Sequence, residues 1–556
     1  MKIAVSDLIV RFMEKLNIEF VFGMPGAHIL PVYDSLYHSK IKSVLVKHEQ
    51  GAAFMAGGYS RASGKISACI TTAGPGATNL VTGIANAYSD KHPILIITGE
   101  TSTYIFGKGG LQESSGEGGS IDQITLFKGI TLYSKIIERT DYLANVLNQA
   151  TKILLAAHSG PVLISLPYNV QKELVEADIL DQINFNVRQT LLPQSQQPID
   201  TFIRMIQDAQ HPVIIAGYGC LKAEAQQLVL QLSNEIGIPV TTTLKGKGTI
   251  GDHSELSLGC LGVTSNGEAY QYIMEHADLL IFLGAGFNER TSYLWDKKLL
   301  SNKKIVQVDY DPAQLEKVFR ADIAIQGDIK QVMSQILDNI TDNNTIKKNL
   351  TNFHHHTKRL QIKSTDLSHE QVSSKFSLVK NFYAKFAAHF SENVMIFDDN
   401  IIFAQNYLNV SRGNRYFPNS GISSLGHAIP AAIGARFSNM QTTFAILGDG
   451  GFQMCCMEIM TAVNYNIPLN IVVFNNETMS LIRKNQVQLY NKRFIDCDFI
   501  NPDFNFLAKS FGIKHKKISN ETDLDDLFQN FNFNDNINLI EIELAKDAYP
   551  NYRSGR

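Results

Sequence analysis

One carboxylate and a pair of amides close neighbouring apolar runs in the stretch AILGDGGFQMCCMEIMTAVNYNIPLNIVVFNN, residues 445–476. Phe444 to Leu447 reads as a buried strand, Gly448-Asp449-Gly450-Gly451 as a tight turn and Met454 to Tyr465 as a helix. Leu469 to Phe474 reads as a second buried strand, closed by Asn475-Asn476. Parallel strands joined by a helix end on the same sheet edge, where ligands of open α/β sheets sit. Asp449 and Asn476 are therefore expected to converge. A carboxylate, an amide oxygen and main-chain carbonyls suit Mg²⁺, a hard ion that shares its shell with phosphate oxygens. The glycines let backbone N–H groups approach those phosphates. A strand–turn–helix without a ligand has the same local pattern, and the asparagine pair is what makes the combination specific. Glu49, in Lys47-His48-Glu49-Gln50-Gly51, follows a strand and opens a helix. Taken alone, it could simply favour the positive helix N-terminus.

The elements that must position these groups alternate strand and helix along most of the chain. Strands are predicted at Phe20 to Phe22, Ser43 to Val46, Ile66 to Thr71, Pro93 to Thr98 and Pro161 to Leu166. Val5, Leu8, Ile9, Phe12 and Leu16 fit an amphipathic first helix, and another helix begins near Gly51. A second series has strands at Pro212 to Ala216, Val240 to Leu244, Asp278 to Gly284 and Lys304 to Val308, with a helix over Ala223 to Ile236. A third begins at the strand Val394 to Phe397 and closes on an alternating strand, Leu539 to Leu544. Such alternation predicts an α/β protein of three doubly wound open parallel-sheet domains, over residues 1–170, 196–337 and 371–545. The polar stretches 171–195 and 338–370 read as linkers, and the tail from Lys546 as a loose or folded-over end. Gly107 to Gly119 is rich in glycine and serine, fits no P-loop, and reads as a flexible binding loop. His354 to His356 reads as a solvated linker face, because no carboxylate or thiol has matching spacing.

Composition bounds the function. At 556 residues the chain is too long for one core. With 50 Lys plus Arg against 53 Asp plus Glu, it carries no excess charge that would call for nucleic acid or an anionic membrane. The six cysteines include no CxxC pair and point to reduced, cytoplasmic thiols. No run reaches the roughly 18 apolar residues a membrane span needs, and Asp7, Arg11 and Glu14 interrupt what would otherwise be a signal peptide. A soluble, intracellular protein is expected.

Three motifs in order, HEQGAAFMAGGYSR, TTAGPGATN and the GDG–NN segment, together resemble the acetohydroxyacid (acetolactate) synthase-type thiamine diphosphate (ThDP) enzymes. PVTTTLKGKG, ADLLIFLGAGFNER and VDYDP in the middle domain agree, so the resemblance covers nearly the whole chain. It implies pyrimidine-binding, central and diphosphate-binding domains, with ThDP and Mg²⁺ as cofactors. The metal would be held by Asp449, Asn476 and the Thr478 main-chain carbonyl. Gly448, Gly450 and Gly451 would line the diphosphate, while Pro25, Gly26, Thr72 and Asn79 would lie at the other end of the cofactor. Glu49 would hydrogen-bond the aminopyrimidine ring and activate the cofactor. In GISSLG, Leu425 would support the bent cofactor, a position that packing alone could also explain, and the Ser423 carbonyl would accept from the amino group. The implied chemistry is decarboxylation of a 2-keto acid, expected to be pyruvate, followed by addition of the enamine to a carbonyl acceptor. A 2-keto acid decarboxylase or C–C bond hydrolase is the enzymatic alternative, and a ThDP-binding regulatory subunit without turnover is the other. Since this family divides each site between subunits, a homodimer is the implied minimum, with a homotetramer beyond it.

Several positions depart from the synthases. His28 stands where they carry a small residue and resembles benzaldehyde lyase and cyclohexane-1,2-dione hydrolase. It could relay protons or orient a substrate hydroxyl, or it could cap the next helix. Gln112, after Leu111 rather than phenylalanine, suits a substrate-facing donor or an ordinary loop residue. Asn485 replaces a tryptophan that shapes the acceptor pocket; it suggests a more polar or larger acceptor, or merely faces solvent. Gly284-Ala285-Gly286-Phe287-Asn288-Glu289-Arg290 lacks the first arginine and both aspartates of the synthases' flavin segment, so tightly bound FAD is not expected. In Asp398-Asp399-Asn400 a glycine is missing after the strand, which could alter a diphosphate contact.

Overall fold

The computed structural model describes residues 1–186, 196–341, 374–399 and 401–548. His354 to His356, Asn400 and the tail beyond Ala548 lie outside the described residues. Three six-stranded sheets, each wholly parallel, form the framework. In spatial order the first runs Lys42–Leu45, Phe20–Gly23, Ser67–Thr71, Ile94–Glu100, Val162–Pro167, Tyr133–Ile136. The second runs Ser257–Cys260, Val240–Thr242, Pro212–Ala216, Leu279–Leu283, Lys304–Asp309, Ile323–Gln326. The third runs Gly413–Pro418, Glu392–Asp398, Thr442–Gly448, Leu469–Asn475, Ile537–Glu543, Lys514–Ile518. The first and third sheets thus share one strand order, and the second has the order of dinucleotide-binding sheets. Their inner strands are near-continuous apolar runs because helices cover both faces. No helix among the described residues is long and apolar enough to cross a membrane.

The first and third units meet through two helices, Glu49–Ser63 and Ala428–Arg436, and every residue of the second is buried. Small residues let the backbones touch. A Cβ on Gly58 would lie 2.0 Å from the Ala431 carbonyl oxygen, and one on Gly434 would lie 2.0 Å from that of Met55. The central unit joins the first through Lys245, whose Nζ donates to buried Asp90 (2.6 Å), and through the Lys91–Asp311 pair. Although burial alone would raise the Asp90 carboxyl, Lys245 and Arg61 hold it down at about 2.

Several elements differ from expectation. The polar stretch after residue 170 is not irregular throughout. Leu174–Glu176 pairs antiparallel with Lys2–Ala4, and a 3₁₀ turn covers Ala177–Gln182; Val175 and Leu180 are buried among the first helix's residues. Asp449, Gly450 and Gly451 are not a free turn but the first turn of a helix, Asp449–Cys455, where the carboxylate suits the positive end. That helix breaks into a 3₁₀ turn at Cys456–Glu458 before Ile459–Asn464, so the expected helix from Met454 is two pieces. Ile537–Glu543 does not alternate, because strands on both sides make it an interior strand with buried residues in succession.

Candidate active site

Strands of the first sheet carry one group of candidate residues past their carboxyl ends. Glu49 is the first residue of its helix, behind the N-cap His48, whose ring accepts from Gln50 N (3.2 Å). Glu49 is 8% exposed, and Asn79 Nδ2 donates to its Oε2 (2.9 Å). The turn leading into it is held from the third unit. Glu458, buried, accepts from Lys47 N (3.1 Å), His48 N (2.9 Å) and Thr461 Oγ1 (2.7 Å). Gly51 makes that approach possible, since a Cβ there would lie 2.2 Å from Glu458 Oε1.

Beside this pair is a second cluster. His28 Nδ1 lies 3.3 Å from Gln112 Oε1, which also accepts from Thr72 Oγ1 (3.3 Å). Thr72 Oγ1 in turn accepts from His28 N (3.4 Å), and Gly26 packs against the Thr72 side chain. Gln171 Nε2 donates to the His28 carbonyl (2.7 Å), fixing that turn from below. His28 does not cap the following helix, Leu30–Leu36, whose N-cap is Ile29. Leu111, next to Gln112, is exposed. The loop 107–119 is cross-tied by Glu113, whose carboxylate accepts from Gly107 N and Gly110 N.

The third sheet supplies the other half. Asp449 Oδ2 accepts from Asn476 N (3.1 Å), Glu477 N (2.6 Å) and Asn501 Nδ2 (2.9 Å), while Oδ1 accepts from Gly450 N (2.9 Å). Burial pushes its carboxyl up, these donors pull the other way, and no lysine or arginine among the described residues pairs with it. Asn476 Nδ2 donates to Ser480 Oγ (2.6 Å), which leaves its amide oxygen as the available end. Thr478 is anchored by its hydroxyl on the Cys497 carbonyl (2.8 Å). A buried carboxylate without a cationic partner, an amide oxygen and a main-chain carbonyl fit a hard divalent ion that completes its shell with phosphate. Among the described residues no cluster of three or more His, Cys, Asp or Glu offers a different kind of metal site.

Next to this group stands the loop Gly421 to Gly426. Ser423 has a positive φ of 55°, and Leu425 is 38% exposed beside the Gly451 backbone. An apolar side chain presented to open space between glycines is what a ring-bearing cofactor could rest on. Asp399 fixes this loop: its Oδ2 accepts from Gly426 N, His427 N and Ala428 N (3.0, 2.9 and 3.1 Å), capping the buried helix. Asn485 lies half-buried on the helix Ser480–Leu489.

Within one chain, then, Glu49 joins Asn79, His28 joins Gln112 and Thr72, and Asp449 joins Asn476. No hydrogen bond among the described residues joins Glu49 to the Asp449 group. Glu458 and Asn501 were not foreseen, nor was it foreseen that Asp399 holds the loop at Gly426 to Ala428. Only Asn501 carried a local signal, the Asn501-Pro502 turn dipeptide.

Family models match all three units. The N-terminal TPP binding domain of thiamine pyrophosphate enzymes matches residues 3–122, the central domain 199–336 and the C-terminal TPP binding domain 400–542. The chain is 33% identical over 545 residues to a probable acetolactate synthase large subunit of Methanococcus aeolicus, covering 94% of this chain and 88% of that one. It is 32% identical over 567 residues to an acetolactate synthase large subunit of Cyanidium caldarium, covering 99% and 94%. With the corresponding protein of Lactococcus lactis subsp. lactis it shares 29% over 552 residues, covering 98% and 93%.

Proposed function

The chain belongs to the thiamine pyrophosphate enzymes, and on that premise we propose that it is a ThDP- and Mg²⁺-dependent carboligase of the acetolactate synthase kind. Its donor is a 2-keto acid, pyruvate, and its acceptor a second carbonyl compound. The observation that carries this reading is the buried Asp449 carboxylate, held by backbone and amide N–H groups but by no cationic side chain among the described residues, at the carboxyl edge of the third sheet.

Asp449, the Asn476 amide oxygen and the Thr478 carbonyl would hold Mg²⁺, with Gly448, Gly450 and Gly451 beside the diphosphate. When bound, the cofactor supplies an electron sink for decarboxylation. Glu49, shielded from solvent and fixed by Asn79 at Oε2, keeps Oε1 to carry and release a proton toward the pyrimidine ring. Leu425 would supply the apolar support, and the Ser423 carbonyl, in its left-handed turn, would accept from the cofactor's amino group. Pro25, Gly26 and Thr72 would line the pyrimidine end of the cofactor, and His28 and Gln112, both hydrogen-bonded to Thr72, would reach the substrate. Those two orient the acceptor carbonyl, and Asn485 sets the polarity of its pocket. Ile422, Leu425, Met454 and Met457 are exposed apolar side chains, suited to cover by a second copy. A homodimer is accordingly the minimal active unit, a tetramer its extension, and the cytoplasm its compartment.

Product analysis by mass spectrometry tests this. Pyruvate with ThDP and Mg²⁺ should give acetolactate or acetoin, and Glu49→Gln should lower turnover by about 10²–10⁴-fold, as loss of a general acid–base group does. Acetaldehyde alone would move the assignment to a decarboxylase. Unchanged turnover in Glu49→Gln would remove the proposed activation.

A further inference from the structure

Behind the His28–Gln112 pair lies a carboxyl that the mechanism above does not use. Glu100 ends the strand Ile94–Glu100 and is fully buried. Its Oε1 accepts from Thr101 N (2.7 Å) and Ser114 N (3.0 Å), while its Oε2 is buried without a partner among the described residues. Ser114 carries the contact onward. Its hydroxyl donates to the Gln112 carbonyl (3.0 Å) and accepts from Gly74 N (3.0 Å), so the loop is pinned to the turn after Ser67–Thr71.

Gln112 itself has a φ of 56°, a left-handed conformation that costs of order 1 kcal/mol in a residue with a Cβ and lasts only where neighbours enforce it. In that conformation its side-chain oxygen reaches both His28 and Thr72. Burial pushes the Glu100 carboxyl up to about 7, the Ser114 and Thr101 N–H groups oppose this, and Glu113 adds to it. A buried acid with one oxygen unsatisfied is a stability cost. What it provides in return is a fixed anchor beneath the loop.

We propose, on the reading that His28 and Gln112 face the substrate, that Glu100 is a positioning residue for the carbonyl acceptor. Through Ser114 it holds the Gln112 backbone in its strained turn, and so governs whether the decarboxylated donor is coupled to an acceptor or is protonated instead. Glu100 does not touch the substrate, and its effect falls on the partition between products.

The test uses the full-length protein with ThDP, Mg²⁺ and pyruvate, and reads the ratio of acetolactate to acetaldehyde. Glu100→Ala and Ser114→Ala should each lower that ratio about tenfold, as a small misplacement of an orienting group does. Glu100→Gln keeps an oxygen for both N–H groups and should stay close to the parent. Gln112→Ala should lower the ratio too, and adding Glu100→Ala to it should lower it no further, because the two act on one contact. A ratio unmoved in Ser114→Ala and Glu100→Ala, with Gln112→Ala effective, overturns the proposal. A Gln112→Ala variant with the parent ratio refutes the substrate-facing reading beneath it. Should Glu100→Ala fail to fold, Ser114→Ala and the Glu100→Gln comparison still decide.

Discussion

Glu100 and Asp449 are both buried carboxyls raised by loss of water, yet their surroundings give them different uses. Asp449 sits among N–H donors with its charge unmatched, a demand that a divalent ion meets. Glu100 has one oxygen engaged and one idle, so ionising it leaves a poorly satisfied buried charge, which costs energy. Burial pushes the Glu100 carboxyl from an ordinary 4.5 up to about 7 in the folded chain. Between those values the folded chain holds a proton that the unfolded chain has released, so stability falls as pH rises through this window and the cost is fully imposed above about 7. Comparing thermal unfolding of the parent with Glu100→Gln from pH 4.5 to 8 should isolate this group. The parent should lose stability relative to the variant as pH rises, and parallel profiles would show that Glu100 does not titrate there. Neither the anchoring role of Glu100 nor the loop-holding role of Asp399 was legible in the sequence. A single acid after an apolar strand has no spacing that betrays its partners, which here come from Ser114 and from the loop at Gly426 to Ala428. Asp449 and Asn476 were legible because both close adjacent parallel strands of one βαβ unit, so the topology alone brings them together.

At the level of elements, the contact of Glu49–Ser63 with Ala428–Arg436 joins the activating half of the candidate site to the frame of the anchoring half. Two adjacent glycines separate packing from propensity. A Cβ at Gly58 meets the Ala431 backbone, whereas one at Gly57 meets nothing within 4 Å. Gly58→Ala should therefore destabilise the protein by roughly 2–3 kcal/mol in urea unfolding, as overpacking does. Gly57→Ala should leave it neutral or more stable by up to about 1 kcal/mol, the gain in helix propensity. Equal effects from the two would mean that the helices do not cross this closely. Interior strands were readable as apolar runs, but Tyr133–Ile136, Ser257–Cys260 and Ile323–Gln326 were not. They are short, partly exposed outer strands, and YSKI or SLGC carries no sustained pattern. The helical start at Asp449 departs from the turn its glycines predict for a related reason. Its glycines signal a break, but a carboxylate at the helix start and N–H groups needed at the edge favour a helical first turn instead.

For the molecule as a whole, the first and third sheets repeat one strand order, and each bears half of the candidate machinery at its carboxyl edge. In a single chain, Glu458 and the helix crossing tie these halves together, while no described hydrogen bond joins Glu49 to the Asp449 group. Exposed Ile422, Leu425, Met454 and Met457 leave the anchoring half uncovered. A two-fold pair of chains would close both sites at once, each built from Glu49 of one copy and Asp449 of the other. The direct measurement is complementation: Glu49→Gln and Asp449→Ala chains are co-expressed in equal amounts and assayed for acetolactate, with each variant alone as the inactive reference. Random pairing makes half the dimers mixed, each with one intact site, so about a quarter of the parent activity should return. Activity no greater than that of the separate variants would contradict a site shared between copies.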